Sequence, residues 1–137
     1  MILTSFPLMA IALIVYNGLA FGLGGGGGNW DTEILSVPMM SGARWSMTMG
    51  DAMIIFSLFL LFFEILKATR IGRMSIIDHL LSTLILIVFL VEFLLVPAAA
   101  TGTFFIIMMM VLVDVMAGFT VSIRSATRDV SLGGDGL

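Results

Sequence analysis

Four long apolar runs constrain this chain more tightly than any motif in it. They cover about 6–23, 51–70, 75–96 and 104–123. A helix needs roughly 20 residues to cross a hydrocarbon core of about 30 Å, and each run supplies close to that number. Across 137 residues, 60% are hydrophobic and 11% are charged, where a soluble domain carries about 25% charged residues. A chain this short cannot hide so much apolar surface in a core of its own, so lipid is the economical cover. The expected fold is a single all-α integral membrane domain over residues 1–137. It is a four-transmembrane-helix bundle, with residues 24–50 forming an external loop.

The first run contains Pro7, Tyr16 and Asn17, and ends on the small residues around Ala20-Phe21-Gly22. Met1 to Leu23 has no Lys or Arg, so it lacks the basic n-region of a signal peptide and reads as a retained span. Cleavage is the alternative, and it would leave three spans in the same orientation. The second run is apolar to Leu66 and gains its last turn from Lys67 to Arg70; Lys67, Arg70 and Arg73 together make the short link to the third, and Arg124 and Arg128 follow the fourth. Arg44 stands alone in the 24–50 loop, and residues 97–103 carry no charge. Under the positive-inside rule both termini are cytoplasmic and the 24–50 loop is outside. Trp30 and Trp45 fall in that outer loop, where an interfacial aromatic belt is expected.

Within the loop, Gly24 to Gly28 reads as a flexible exit from the first helix. No strand precedes it and no Lys-Ser/Thr follows, which excludes a phosphate loop. Further on, Trp45, Met47 and Met49 alternate with Ser46 and Thr48, at strand periodicity. Ser41-Gly42 is a turn signal between two such stretches. The loop is therefore expected to form a short β-hairpin over 34–49 with Pro38 at its edge, or else an irregular interfacial segment. Either would serve as an external docking loop through Trp30, Trp45, Met47 and Met49, the methionines being adaptable contacts.

Several polar residues lie inside the runs, where charge is costly. Asp51 fits an N-cap of the second helix, and Ser75-Ile-Ile-Asp78 has the form of a capping box. Glu64 lies three residues before Lys67, so an i,i+3 pair at the interface accounts for it. His79, the only histidine, reads as a hydrogen-bonded interfacial residue, with proton handling as the functional alternative. Glu92 and Asp114 have no such explanation. Asp114 sits near the middle of the fourth run, and no basic residue in the chain is expected to reach it. If ionised, its counter-charge would come from a partner. Asp114 and Gly118, Asp78, Ser82, Phe89 and Glu92, and Ser57, Leu61 and Glu64 each share a face of their helix. The intramembrane polar candidates Asp114, Glu92, His79, Glu64 and Ser82 thus point toward one interior.

No catalytic constellation is present. There is no Ser-His-Asp or Cys-His arrangement, no His-Glu-x-x-His, and no cysteine for thiolate or iron–sulfur chemistry. Neither a cofactor nor a metal is expected, and a net charge of −3 gives nucleic acid no basic patch to bind. Inverted repeats and helices broken at the midplane, the marks of a self-contained transporter, are missing. The expected partners are the lipid bilayer and other membrane subunits, or further copies of this chain. The role this implies is a non-catalytic small subunit or assembly factor of a larger membrane complex, with an oligomeric proton or cation conductor as the alternative.

Four stretches carry a resemblance: Ser41-Gly-Ala-Arg-Trp45 to Gly50-Asp51, Phe63-Glu-Ile-Leu-Lys-Ala68, Ile77-Asp-His-Leu-Leu-Ser82 and Glu92-Phe-Leu-Leu-Val-Pro-Ala98. Together they make most of the chain from Trp30 onward similar to a family of small multi-pass inner-membrane proteins of alphaproteobacteria. The resemblance implies a bacterial inner membrane. It implies no activity, and no functional residue is carried over from it.

Overall fold

The computed structural model describes residues 6–22, 28–69 and 73–134, without the side chains of 73–75, 121–122 and 124–134. Glycines 24–27 and the side chains of Arg70, Arg73, Arg124 and Arg128 lie outside this description. In chain order the elements are α1 (Met9–Ala20), β1 (Glu33–Pro38), β2 (Arg44–Thr48), α2 (Met49–Ala68), α3 (Arg73–Leu95), a 3-10 turn (Pro97–Ala99) and α4 (Gly102–Gly134). Among the described residues, three helices are long and apolar enough to cross a membrane: Met49–Ala68, Ile76–Leu95 and Gly102–Thr120.

The first helix is shorter than its apolar run. It has 12 residues, about 18 Å at the α-helical rise of about 1.5 Å per residue. At its start, Ala10 N–H bonds the Pro7 carbonyl at 3.0 Å, since Pro7 cannot donate and sits where a helix begins. At its end, Phe21 N–H bonds the Asn17 carbonyl and Gly22 turns the chain at φ +109°, a left-handed exit suited to glycine.

The hairpin forms. β1 and β2 are antiparallel, pairing Leu35 with Met47, Val37 with Trp45 and Pro38 with Arg44. Pro38 sits at the strand end, where its missing N–H interrupts no ladder. Between the strands, Met39 N–H bonds the Ala43 carbonyl and Gly42 N–H bonds the Met39 carbonyl, with Gly42 at φ +87°. Arg44 Nε donates across the strands to Ser36 Oγ at 2.7 Å.

Helix α2 starts directly from β2, so Met49 is helical and not part of the strand. Its N-cap is Thr48, not Asp51. Asp51 is the third helical residue of a capping box: its N–H donates to Thr48 Oγ1, and its carboxylate accepts from Thr48 N–H. The capping box expected at Ser75–Asp78 involves the Ser75 side chain, which lies outside the description; Ser75 itself falls inside α3, which begins at Arg73. Helix α3 ends before Pro97, which restricts the preceding residue to extended geometry; Val96 is at φ −105°, ψ 115°.

Helix α4 is the centre of the bundle. It packs along both α2 and α3, which barely touch each other, while α1 lies mainly on α2. Its buried stripe is Phe104, Ile107, Val111 and Asp114, one face at helical spacing. Ser57, Leu61 and Glu64 form the buried face of α2, and Ser82 and Phe89 that of α3. Outward, Phe59, Phe62, Leu84, Leu94, Leu95 and Met116 are each more than half exposed, the surface expected to meet lipid tails.

The hairpin end is closed by aromatic rings. Trp30 is buried and stacks on Tyr16, centroids 4.4 Å apart and planes 9° apart, and Tyr16 meets the Phe104 ring edge-on at 4.9 Å. Trp30 therefore belongs to the core and not to an aromatic belt or a docking surface. Its carbonyl accepts from Gly50 N–H at 2.8 Å. A side chain at Gly50 would place its Cβ 2.6 Å from Thr103 Oγ1 and 3.2 Å from the Trp30 carbonyl oxygen. Gly50→Ala should consequently destabilise the detergent-solubilised protein by about 1–3 kcal/mol. A lowered unfolding midpoint checks this, and an unchanged midpoint would refute the close approach.

Candidate functional site

The polar side chains on α2, α3 and α4 meet at Glu64. This residue is 3% exposed and lies one turn from Lys67, with which it pairs at 3.5 Å. Its Oε2 accepts the Leu8 backbone N–H at 2.7 Å, and its Oε1 accepts Ser82 Oγ–H at 3.4 Å. Lys67 Nζ donates in turn to the Phe6 carbonyl. The first N–H groups of a helix have no acceptor inside it, and α1 has no side-chain cap of its own. Glu64 supplies that acceptor from another helix, and its charge also suits the positive end of the α1 dipole. The expected Glu64–Lys67 pair is thus present, but it is buried and engaged with α1, which an interfacial surface pair would not be.

Beside Glu64 lies a cavity of about 20 Å³. Its walls are Glu64, Lys67 and Ala68 of α2, Asp78, His79 and Ser82 of α3, and Asp114 and Gly118 of α4. Asp114 is 4% exposed. Asp114 Oδ2, Asp78 Oδ1 and His79 Nε2 are buried atoms without a hydrogen-bond partner among the described residues. The hydrogen bond expected of His79 is thus not seen at Nε2 among the described residues. Its ring packs on Gly118, where an added Cβ would lie 2.6 Å from Nδ1, and meets the Phe119 ring edge-on at 3.9 Å. Gly118 is what admits the imidazole to the bundle.

The surroundings of Asp114 correct a second expectation. Lys67 is on α2, not in a link, and lines the same cavity as Asp114. Lysine reaches inward on a long apolar stem, so this chain supplies a cation at the site itself. Four of the five intramembrane candidates, Asp114, His79, Glu64 and Ser82, converge on the cavity. Glu92 does not.

Glu92 instead holds the other end of α1. Asn17 Nδ2 donates to Glu92 Oε2 at 3.1 Å. One residue earlier, Tyr16 Oη donates to the Ala98 carbonyl at 2.9 Å and shares a 2.7 Å hydrogen bond with Thr101 Oγ1. Thr101 Oγ1 also accepts Phe104 N–H at 3.1 Å, at the start of α4. Neither Asn17 nor Tyr16 was a candidate from sequence. The available signal was their interruption of the first apolar run.

Of the four docking-loop residues, Trp45 is exposed, Met47 and Met49 are half-buried, and Trp30 is buried. The exposed apolar residues of the hairpin also include Ile34, Leu35, Val37, Met39 and Met40. No group of three or more His, Asp or Glu residues is arranged to hold a metal ion among the described residues.

Replacing Glu64 by Ala removes the partner of Lys67 and the acceptor for Leu8 at once. Loss of one member of a buried ion pair costs about 3–5 kcal/mol, and a loss in that range is expected from equilibrium unfolding in detergent. By contrast, a double-mutant cycle between Asn17→Ala and Glu92→Gln should return a coupling of about 0.6 kcal/mol, the scale of interhelical hydrogen bonds in membranes. A null coupling would remove the clamp at that end.

No protein-family model matches the chain, and no curated protein or solved structure matches it.

Proposed function

We propose that this chain is a non-catalytic small multi-pass subunit, or an assembly and stabilising factor, of a larger bacterial inner-membrane complex. In this reading all four apolar helices are spans, α1 being a short one clamped into the bundle. Both termini are then cytoplasmic, and the hairpin stands outside. The observation that carries the proposal is the hairpin's surface. Ile34, Leu35, Val37, Met39 and Trp45 are exposed, and Met40 is fully so.

A two-stranded ribbon alone is marginally stable in water, and exposed contiguous apolar surface marks a site of interaction. Trp45 is the type of residue that anchors interfaces, and the two methionines at the turn adapt to the shape of a partner. The turn Met39–Ala43 stands beyond the strand pairs, so it is the first part of the hairpin another extramembrane domain would meet. The lipid-facing rows of Phe and Leu on α2 and α3 extend the available contact along the membrane.

A second reading, an oligomeric proton or cation conductor, is favoured by the convergence of Glu64, His79 and Asp114 on one cavity. The two readings separate after mild solubilisation and native mass spectrometry. A stoichiometric protein partner supports the subunit, and a pure homo-oligomer supports the conductor. Under the subunit reading, Met40→Asp combined with Trp45→Asp lowers partner affinity about tenfold or more, equivalent to about 1.4 kcal/mol. Helix content is expected to stay unchanged, and undiminished co-purification of the partner would contradict the hairpin's role.

A further inference from the structure

We propose that the cavity between α2, α3 and α4 is a proton-binding site, in which a buried water and one bound proton join Asp114, Asp78 and His79. The proposal rests on neither functional reading above.

Its first support is space. A cavity of about 20 Å³ exceeds the roughly 10–15 Å³ that one water needs. The second is the set of buried atoms left unsatisfied among the described residues: Asp114 Oδ2, Asp78 Oδ1 and His79 Nε2, all on residues that line the cavity. Three such atoms around a water-sized space are the usual setting of a structural water.

Donor and acceptor counting fits a bound proton. Two bare carboxylate oxygens are acceptors, and so is Nε2 of a neutral imidazole that carries its hydrogen on Nδ1. One water has two hydrogens to donate and cannot satisfy three acceptors. With one proton added to the set, the pattern closes. Asp114 Oδ2–H donates to the water oxygen, and the water donates to Asp78 Oδ1 and His79 Nε2. No atom is left over.

The charges facing the cavity place that proton on Asp114. From α2 come Glu64 and Lys67, from α3 Asp78 and His79, and from α4 Asp114. Helix α1 adds no charged group; its Leu8 N–H and Phe6 carbonyl are bound by Glu64 and Lys67. Lys67 neutralises Glu64, its partner at 3.5 Å. This leaves two carboxyls with no dedicated cation among the described residues. Asp114 is the more deeply buried of the two, at 4% exposure. A bare carboxylate inside apolar helices is costly, so the deeper acid holds the proton.

The test is infrared spectroscopy of the full chain in lipid nanodiscs in neutral buffer. The expected spectrum contains the carbonyl stretch of a protonated carboxylic acid, shifted when water is replaced by heavy water. Asp114→Asn abolishes that band, and Glu92→Gln, at the other end of the bundle, leaves it intact. Isotopic labelling of aspartate carboxyls alone assigns the band in the unsubstituted protein, so the test does not depend on the variant folding. Absence of the band overturns the proposal, as does a band that ignores aspartate labelling or survives Asp114→Asn.

Discussion

The carboxylate of Glu64 is the point on which the arrangement of this protein depends, because it binds two helices other than its own. It caps the free N–H at the start of α1, accepts the Ser82 hydroxyl of α3 and pairs with Lys67 on α2. Lipid tails are as apolar as leucine, so helices in a membrane gain nothing from burying apolar faces against each other beyond packing. A 12-residue helix such as α1 is too short to be placed by packing alone. Its position is set by polar clamps at both ends: Glu64 and Lys67 at one, and Glu92, Ala98 and Thr101 at the other.

Those clamps also explain how the interior is shared out. At the hairpin end, Tyr16 is held under Trp30 and against Phe104, and Gly50 lets α2 approach both Trp30 and Thr103. That end is aromatic. At the opposite end, Gly118 admits His79, and Asp78 and Asp114 face a small cavity beside the Glu64–Lys67 pair. Helix α4 runs through both regions, which is why its buried stripe passes from Phe104 to Asp114.

Much of this was legible in the sequence, and the rest failed for identifiable reasons. The apolar runs located α2 and α3 within two residues at their starts, because a lipid-exposed helix is apolar on most of its circumference. Strand alternation and Ser41-Gly42 located the hairpin. Pro7 and Gly22 cut the first helix short of its run, a local backbone effect that hydropathy does not register. Asp51 was misassigned by three positions, since Gly50 reads as a helix boundary although it serves a close helix contact. The largest miss concerns long-range pairs. The i,i+3 relation of Glu64 and Lys67 is local and was visible. The contact between Glu64 and Leu8 spans 56 positions, and that between Asn17 and Glu92 spans 75. No periodicity connects such residues, so Asp114 stood out as unpaired while Glu64, the actual centre, looked ordinary.

The account stands or falls on the hydrogen bond between the Leu8 amide and Glu64. A nitrogen–carbon through-space correlation between the Leu8 amide nitrogen and the Glu64 carboxyl carbon, recorded by solid-state NMR in lipid bilayers, measures it directly. The predicted result is a cross-peak at hydrogen-bonding range, accompanied by one between the Asn17 side-chain nitrogen and the Glu92 carboxyl carbon. A spectrum that shows the Asn17–Glu92 peak without the Leu8–Glu64 peak would contradict the central role of Glu64.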